Sequence, residues 1–260
     1  MFILALDTTT RGGSVAVTAD DRLLALVPGD ETRTHIERLP AEFDAALQHA
    51  GVSRGVLDLL AVATGPGAFT GLRIGLAAIQ GLAMALDRPV AGVSALDALA
   101  WQARHEPVDF VVPWMDAQRG DVFAAFYAGG APLATVATPR AHAEGGPTAA
   151  SPVALLEQWR PYLDGHSALF VGDAVGRDAD VIARLGAGRW IARAPAPLAP
   201  ALAVLAWHRA LAGLAGPPHA LEPIYARRPD AEIERERVGR PSTFAPGPSA
   251  KKDDLPPLRS

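Results

Sequence analysis

The chain has 260 residues and a formal net charge of −4, and 49% of its residues are hydrophobic and 20% charged. This length suits one large or two small domains, and the weakly acidic balance argues against a strongly basic nucleic-acid binder or a polybasic membrane protein. The sequence contains no cysteine, which excludes disulfide frameworks, zinc–thiolate sites and thiol catalysis.

The N-terminus does not look like a targeting signal. The apolar run over residues 1–6 ends at Asp7 and has no basic residue before it, whereas a signal peptide has a basic start and a longer apolar core. No 18-residue stretch is uninterrupted by polar residues, so we expect no membrane span. We therefore predict a soluble, cytoplasmic protein that does not bind membranes.

The first hundred residues alternate between strand and helix patterns. Strands are predicted over residues 2–7, 14–18, 23–27, 57–64 and 89–93, and helices over 34–50, 70–86 and 95–104. Thr34 and Glu37 fit a capping box at the start of the first helix, and Gly51 is a natural stop after it. Strands that alternate with helices predict an α/β fold with a mixed sheet covered by helices.

The second half begins like the first. The sequence DTTTRG at residues 7–12 follows one apolar strand, and DAQRG at residues 116–120 follows another, over residues 110–115. Both are followed by a further strand pattern, at residues 14–18 and 122–127. This similarity is compatible with an internal duplication and also with chance.

Later segments have weaker patterns. A Gly/Pro/Ala-rich loop is predicted over 138–151, helices over 153–159, 175–185 and 200–214, and a strand over 167–171. We divide the chain into an N-terminal lobe (1–106), a C-terminal lobe (107–225) and a tail (226–260). The tail has eight basic residues, six acidic residues and six prolines, with too few large apolar side chains to fold, so we predict partial disorder there.

The helix predicted over residues 70–86 is apolar almost all round and contains Gly71, Gly75 and Gly81. Each interior glycine costs about 1 kcal/mol relative to alanine, so a close approach to these positions is expected. Two interpretations stay open, close packing inside the chain and contact with a second subunit. Under the second, Gly75→Leu would block the partner and leave the monomer folded.

Candidate catalytic motifs are few. Asp7, Thr8 and Thr9 could contact a metal–phosphate, but such residues more often satisfy local backbone amides in a turn. The glycine turn over residues 65–67 lacks the lysine of a phosphate-binding Walker motif. No two histidines are four residues apart, so no helical His pair of that spacing can bind a metal.

Several tracts resemble the bacterial TsaB family, also called YeaZ. They are MFILALDTTTRGGSVAV (1–17), TGPGAFTGLRIGLAAIQGLAMAL (64–86), VSALDALA (93–100), DAQRGDV (116–122) and EPIYAR (222–227). They follow the family order to about residue 228 and do not cover the tail. The resemblance implies the actin-like ATPase (ASKHA, ribonuclease H-like) fold, with two lobes that each hold a mixed five-stranded sheet flanked by helices.

The resemblance also implies a function. TsaB proteins are non-catalytic paralogues of TsaD, which attaches threonylcarbamoyl to the adenosine next to the anticodon in tRNAs that read ANN codons. TsaB pairs with TsaD in a heterodimer, TsaE joins a larger complex, and tRNA is contacted only through that complex. Whether a homodimer forms without TsaD is left open.

The family's partner interface corresponds to the helices over residues 34–50 and 70–86. We therefore expect it to include seven residues of these helices, namely Ile36, Leu39, Phe43, Gly71, Gly75, Ala78 and Leu82. Asp7, Thr8 and Thr9 would form a vestigial phosphate loop.

TsaD-like enzymes carry two metal-binding histidines where this chain has Ser94 and Ala98. We expect no metal and no catalysis, which also argues against a metallopeptidase. No cofactor is expected, although weak ATP or ADP binding is left open. The alternative is an ATP-dependent small-molecule kinase of the same fold.

Overall fold

The computed structural model describes residues 1–129, 147–185 and 189–226, with the side chains of residues 189–191 left aside. The predicted tail lies outside this part of the chain from Arg227 onward, as does most of the loop predicted over 138–151.

The first sheet contains the five strands predicted in the first half. They are β1 (Phe2–Asp7), β2 (Ser14–Ala19), β3 (Arg22–Pro28), β4 (Leu59–Gly65) and β5 (Val90–Ser94). The order is β3-β2-β1-β4-β5, antiparallel among β1, β2 and β3 and parallel between β1, β4 and β5. Long connections that contain helices join the parallel strands, as parallel pairing requires.

Three helices accompany this sheet, α1 (His35–Ala50), α2 (Phe69–Leu86) and α3 (Ala95–Gln102). The predicted capping box of Thr34 and Glu37 is present, and Gly51 ends α1 with a φ of 66°. The Ser94 hydroxyl caps α3 by accepting from the Asp97 amide at 3.4 Å. The sequence located the boundaries of these three helices to within two residues, and capping residues mark the start of α1 and α3 and the end of α1.

The second sheet repeats the arrangement of the first. Its strands are β6 (Phe110–Asp116), β7 (Val122–Ala124), β8 (Tyr127–Ala128), β9 (Thr148–Ala150), β10 (Ser167–Val171) and β11 (Arg189–Arg193). Their order, β9-β7-β6-β10-β11, reproduces β3-β2-β1-β4-β5, and β6–β7 is antiparallel where β6–β10 is parallel. The topology supports duplication as the origin of the DTTTRG and DAQRG similarity.

The second sheet has six strands where five were expected. The strands β7 and β8 pair with β6 in one continuous register, with Trp114 opposite Ala124 and Val111 opposite Tyr127. The interruption falls at Pro113, which has no amide hydrogen to donate to a ladder. Thus β7 and β8 are two parts of one strand.

The remaining helices are α4 (Pro152–Leu163), α5 (Ala179–Leu185) and α6 (Ala199–Leu211). Two strands, β9 and β11, were not predicted, because both are short and lack a clear alternation. Helix α6 returns to the first sheet, where the Ala199 amide donates to the Ser14 hydroxyl at 3.1 Å. The sequence analysis placed residues 199–211 in the C-terminal lobe, but helix α6, which they form, packs on the N-terminal sheet.

The first sheet separates two cores. Leu4 and Leu6 pack on the side of α1 and α2, whereas Ile3 and Ala5 pack on the opposite side with α3 and α6. This alternation is the period of two of a β-strand. A third cluster of buried hydrophobic side chains, which includes Trp114, Trp159 and Phe170, lies between the second sheet and α4.

Candidate functional site

The start of the turn after β1 is buried, and the Asp7 carboxylate is bonded within the turn. Asp7, Thr8 and Thr9 are 1%, 0% and 4% exposed. One Asp7 oxygen accepts from the Thr9 amide at 2.8 Å and the Thr9 hydroxyl at 2.6 Å, and the other accepts from Thr10 at 2.7 Å. Within the described residues, the buried Thr8 hydroxyl has no hydrogen-bond partner. The Asp7 side chain is thus used to build the turn.

Helix α2 covers this turn with two glycines. A Cβ at Gly71 would lie well within 3.0 Å of the Thr8 carbonyl oxygen, and a Cβ at Gly75 would overlap the Thr8 hydroxyl. Any side chain at either position would push α2 away from the turn. The structure therefore favours close packing inside the chain for these two glycines. That Gly75→Leu leaves the monomer folded stays a prediction, and the overlap with Thr8 argues against it.

A buried ion pair attaches α1 to the same turn. Arg38 is 2% exposed, pairs with Glu42 at 2.5 Å and donates to the Gly12 carbonyl oxygen. Its guanidinium also lies 2.6 Å from His35 Nδ1. Burial, together with the positive charge of Arg38, lowers the pKa of His35. Helices α1 and α2 are therefore both anchored on the turn between β1 and β2.

The seven predicted interface residues separate into two groups. Leu39, Gly71 and Gly75 are buried within the chain, so they are not on its surface. Ile36 is 68% exposed, and the half-buried Phe43, Ala78 and Leu82 complete the group that reaches the surface.

The outer face of α2 is apolar and made largely of small residues. Ala77, Gly81 and Ala85 are exposed, and Met84 is 73% exposed. A Cβ at Gly81 would meet no atom of the described part of the chain within 4 Å, unlike one at Gly71 or Gly75. Among the described residues, α2 alone is long and apolar enough to cross a membrane, a test that core helices of other proteins also pass.

The last described segment, residues 216–226, lies along α2 and the edge of the first sheet. Gly216 exchanges two backbone hydrogen bonds with Val90, and the Ile224 amide donates to the Thr64 carbonyl at 2.7 Å. Gln80 of α2 donates to the Pro218 carbonyl at 3.1 Å. Residues 222–226 of the EPIYAR motif therefore lie beside the start of α2.

Ser94 and Ala98, where the resemblance implies the histidines of TsaD-like enzymes, have structural roles in this chain. Ser94 caps α3, and Ala98 is buried in the core. Between them, Asp97 accepts a hydrogen bond of 2.8 Å from the Tyr127 hydroxyl of β8. Burial raises the pKa of Asp97 to about 6, against the opposing effects of Tyr127 and Arg209. This stretch connects the two sheets.

The turn after β6, at residues 116–120, is more exposed to solvent than the turn after β1. Gln118 and Arg119 have φ values of 63° and 57°, so two residues other than glycine take left-handed conformations in succession. Asp116 is paired with Arg177 at 2.6 Å, with about a third of each side chain exposed. Within the described ranges, no group of three or more His, Asp or Glu side chains is arranged to hold a metal ion.

The sequence did not predict that Gly81 lies on the outer face of α2. It also did not predict the hydrogen bond of 3.3 Å that Arg73 Nε donates to the Tyr225 hydroxyl. Gly81 was noted in the sequence but not separated from Gly71 and Gly75, because helical spacing alone does not say which glycine faces the sheet. Tyr225 lies in a motif that the family resemblance had already marked, and this was the available signal.

Comparisons with known proteins agree on one family. A family model described as TsaD, tRNA N6-adenosine threonylcarbamoyltransferase, matches residues 23–155, just over half of the chain. The Haemophilus influenzae tRNA threonylcarbamoyladenosine biosynthesis protein TsaB is 38% identical over 130 residues, 46% of this chain and 51% of that protein. The Escherichia coli TsaB is 38% identical over 131 residues, 49% of this chain and 55% of that protein. The chain spans about half the length of the curated relatives it matches.

Solved structures extend the similarity to most of the chain. YeaZ from Pseudomonas aeruginosa is 30% identical and superposes with a TM-score of 0.69 over 86% of this chain and 99% of that one. A second Pseudomonas aeruginosa structure, described as similar to peptidase YeaZ, gives a TM-score of 0.73 and 30% identity over 87% and 99%. The chain therefore belongs to the TsaB/YeaZ family and has its actin-like ATPase fold.

Proposed function

We propose that this chain takes part in tRNA threonylcarbamoyladenosine biosynthesis as a non-catalytic subunit. It would act with TsaD in a heterodimer and with TsaE in a larger complex, for tRNAs that read ANN codons, and would contact tRNA only through that complex. The names of its relatives support the pathway. We also expect a cytoplasmic location.

The observation that carries the partner role is the outer face of α2. Among the described residues, Gly81 has no neighbour that a side chain would disturb, yet a glycine in a helix interior costs about 1 kcal/mol relative to alanine. Ala77 and Ala85, which are also exposed on α2, have small side chains that project little from the helix. Small residues let two helices approach closely, so this face fits a helix of another subunit. Ile36, on α1, offers exposed apolar area in the same half of the molecule.

The kinase alternative depends on the Asp7 turn and receives less support. A phosphate site needs accessible donors or a free carboxylate for a metal, whereas Asp7 is bonded to Thr9 and Thr10. We therefore expect at most weak ATP or ADP binding. Isothermal titration with ATP and Mg²⁺ tests this expectation, and a saturable micromolar affinity would favour the kinase.

The partner role is tested by light scattering on a sizing column, with this chain alone and mixed with TsaD from the same organism. We expect a one-to-one complex that Gly81→Leu abolishes. Gly176→Leu is the matched control, because Gly176 is also exposed with open space around it but lies in the second half. Circular dichroism should show both variants folded. Unchanged separate peaks for the wild type at tens of micromolar would refute the proposal.

A second readout addresses catalysis. Reconstituted tRNA threonylcarbamoylation should require this chain in addition to TsaD, and should fall with Gly81→Leu in parallel with complex formation. Undiminished modification in the absence of this chain would argue against a required subunit.

A further inference from the structure

Helix α2 has a single charged residue over its 18 positions, Arg73, and that residue lies on the exposed face. Its guanidinium stacks on the Phe69 ring, with Cζ 3.9 Å from the ring centroid. Its Nε donates to the Tyr225 hydroxyl at 3.3 Å. Arg73 is thus held between Phe69 of α2 and Tyr225 of the last described segment.

The two aromatic rings form an exposed platform around the guanidinium. Phe69 and Tyr225 lie 5.6 Å apart between centroids and are 42% and 43% exposed. An arginine with exposed aromatic neighbours is the composition typical of interface hot spots. The stacking also fixes the guanidinium plane before any partner arrives, which lowers the conformational entropy lost on binding.

The hydrogen bonds of Arg73 are only partly used. Among the described residues, Tyr225 accepts from Nε, and no ion pair to Arg73 is formed. Both terminal nitrogens therefore have donors to offer. A guanidinium with two parallel donors matches a carboxylate in a bidentate pair.

We infer that Arg73 receives a carboxylate side chain of the partner subunit, with Phe69 and Tyr225 as the walls of that contact. This inference rests on the proposed function, because it assumes that the outer face of α2 is covered by TsaD. Covering an apolar face removes water from its one charge, and a buried charge without a partner is strongly unfavourable. Among the residues that the structure describes, a ring and a hydroxyl contact Arg73 and no negative charge does. On this inference the compensating charge comes from the partner.

The inference is tested by measuring the dissociation constant of the complex with TsaD from the same organism by isothermal titration. We expect Arg73→Gln to weaken binding by about 30-fold or more, as truncation of one member of a buried charged pair does. Arg73→Lys keeps the charge without the planar fork and should fall between wild type and Arg73→Gln. Arg73→Glu should bind still more weakly than Arg73→Gln, because two carboxylates would then face each other.

The control is Arg22→Gln, which removes an exposed arginine at the start of β3. Strand β3 is the edge of the first sheet opposite β5, so this variant should bind as the wild type does. If Arg73→Gln binds TsaD with wild-type affinity while Gly81→Leu does not bind, the inference about Arg73 is overturned. The proposed interface on the outer face of α2 would then still stand. Equal affinities for Arg73→Glu and Arg73→Gln would overturn the carboxylate assignment. Failure of the wild type to bind TsaD would overturn both proposals.

Discussion

On the inner face of α2, Gly71 and Gly75 lie against the Thr8 turn, whereas on the outer face no described residue lies within 4 Å of a Cβ at Gly81. The inner glycines let the helix pack on a buried, internally bonded turn. The outer glycine has no such role in the monomer. The difference teaches that glycines along one helix can have different roles, and that the residues packed against each face decide whether a glycine serves packing within the chain.

The largest effect is expected on the inner face. Gly75→Leu should lower the free energy of unfolding by about 3 kcal/mol or more, because the side chain would overlap Thr8 and the core cannot make room. Urea denaturation followed by circular dichroism measures the change. An unaltered midpoint would show that α2 can move away from the turn at little cost, and the comparison of the two faces would then fail.

A buried carboxylate tests the interior at a site independent of α2. The pKa of Asp97, raised by burial to about 6, lies above the value near 3.9 of the unfolded chain. The folded state therefore holds the proton more tightly, and the free energy of unfolding should fall by about 2 kcal/mol as the pH rises from 4 to 6.

Asp97→Asn should remove this dependence, because the amide oxygen can still accept from Tyr127 and does not ionise. Thermal unfolding of both proteins across pH 4–7 supplies the measurement. If the two curves run parallel, Asp97 does not titrate as its burial indicates.

Alanine substitutions sharpen the comparison on a smaller scale. Gly81→Ala should raise the free energy of unfolding by about 1 kcal/mol, since alanine favours helix and the position is open. Gly75→Ala should lower it, because even a methyl group would overlap the Thr8 hydroxyl. Paired denaturation curves give both signs. Two increases would mean that helix propensity outweighs packing on the inner face, and two decreases would mean that the position of Gly81 is not open.

The smallest effect is expected at His35, which lies between Arg38 and the start of α2. Its pKa is lowered in the folded state, so the unfolded chain binds the proton more readily below about pH 6.5. Its contribution to stability is present above that pH and is lost as the pH falls. His35→Gln should flatten the unfolding free energy on the acid side. The matched substitution His49→Gln, at the exposed end of α1, should leave it unchanged.

Much of the fold was predictable because local signals mark it. Thr34, Glu37 and Gly51 fix the ends of α1 through hydrogen bonds within a few residues of each other. The strands β1, β2 and β10 are continuous apolar runs that end at turn residues, and their bounds were predicted to within one residue. By contrast, β9 and β11 form by pairing with distant strands, β7 and β10, and short strands of this kind carry little local signal.

The candidate site was predictable only in part. The sequence identified α2 as a helix that needs cover on two sides, from its composition alone, and the family motifs identified the pair of helices. It could not assign Gly75 to the interior or Gly81 to the surface, nor bring Tyr225 beside Arg73, because these contacts join segments up to 152 residues apart. Local patterns specify where elements begin and end, whereas side-chain partners depend on which faces the folded chain brings together.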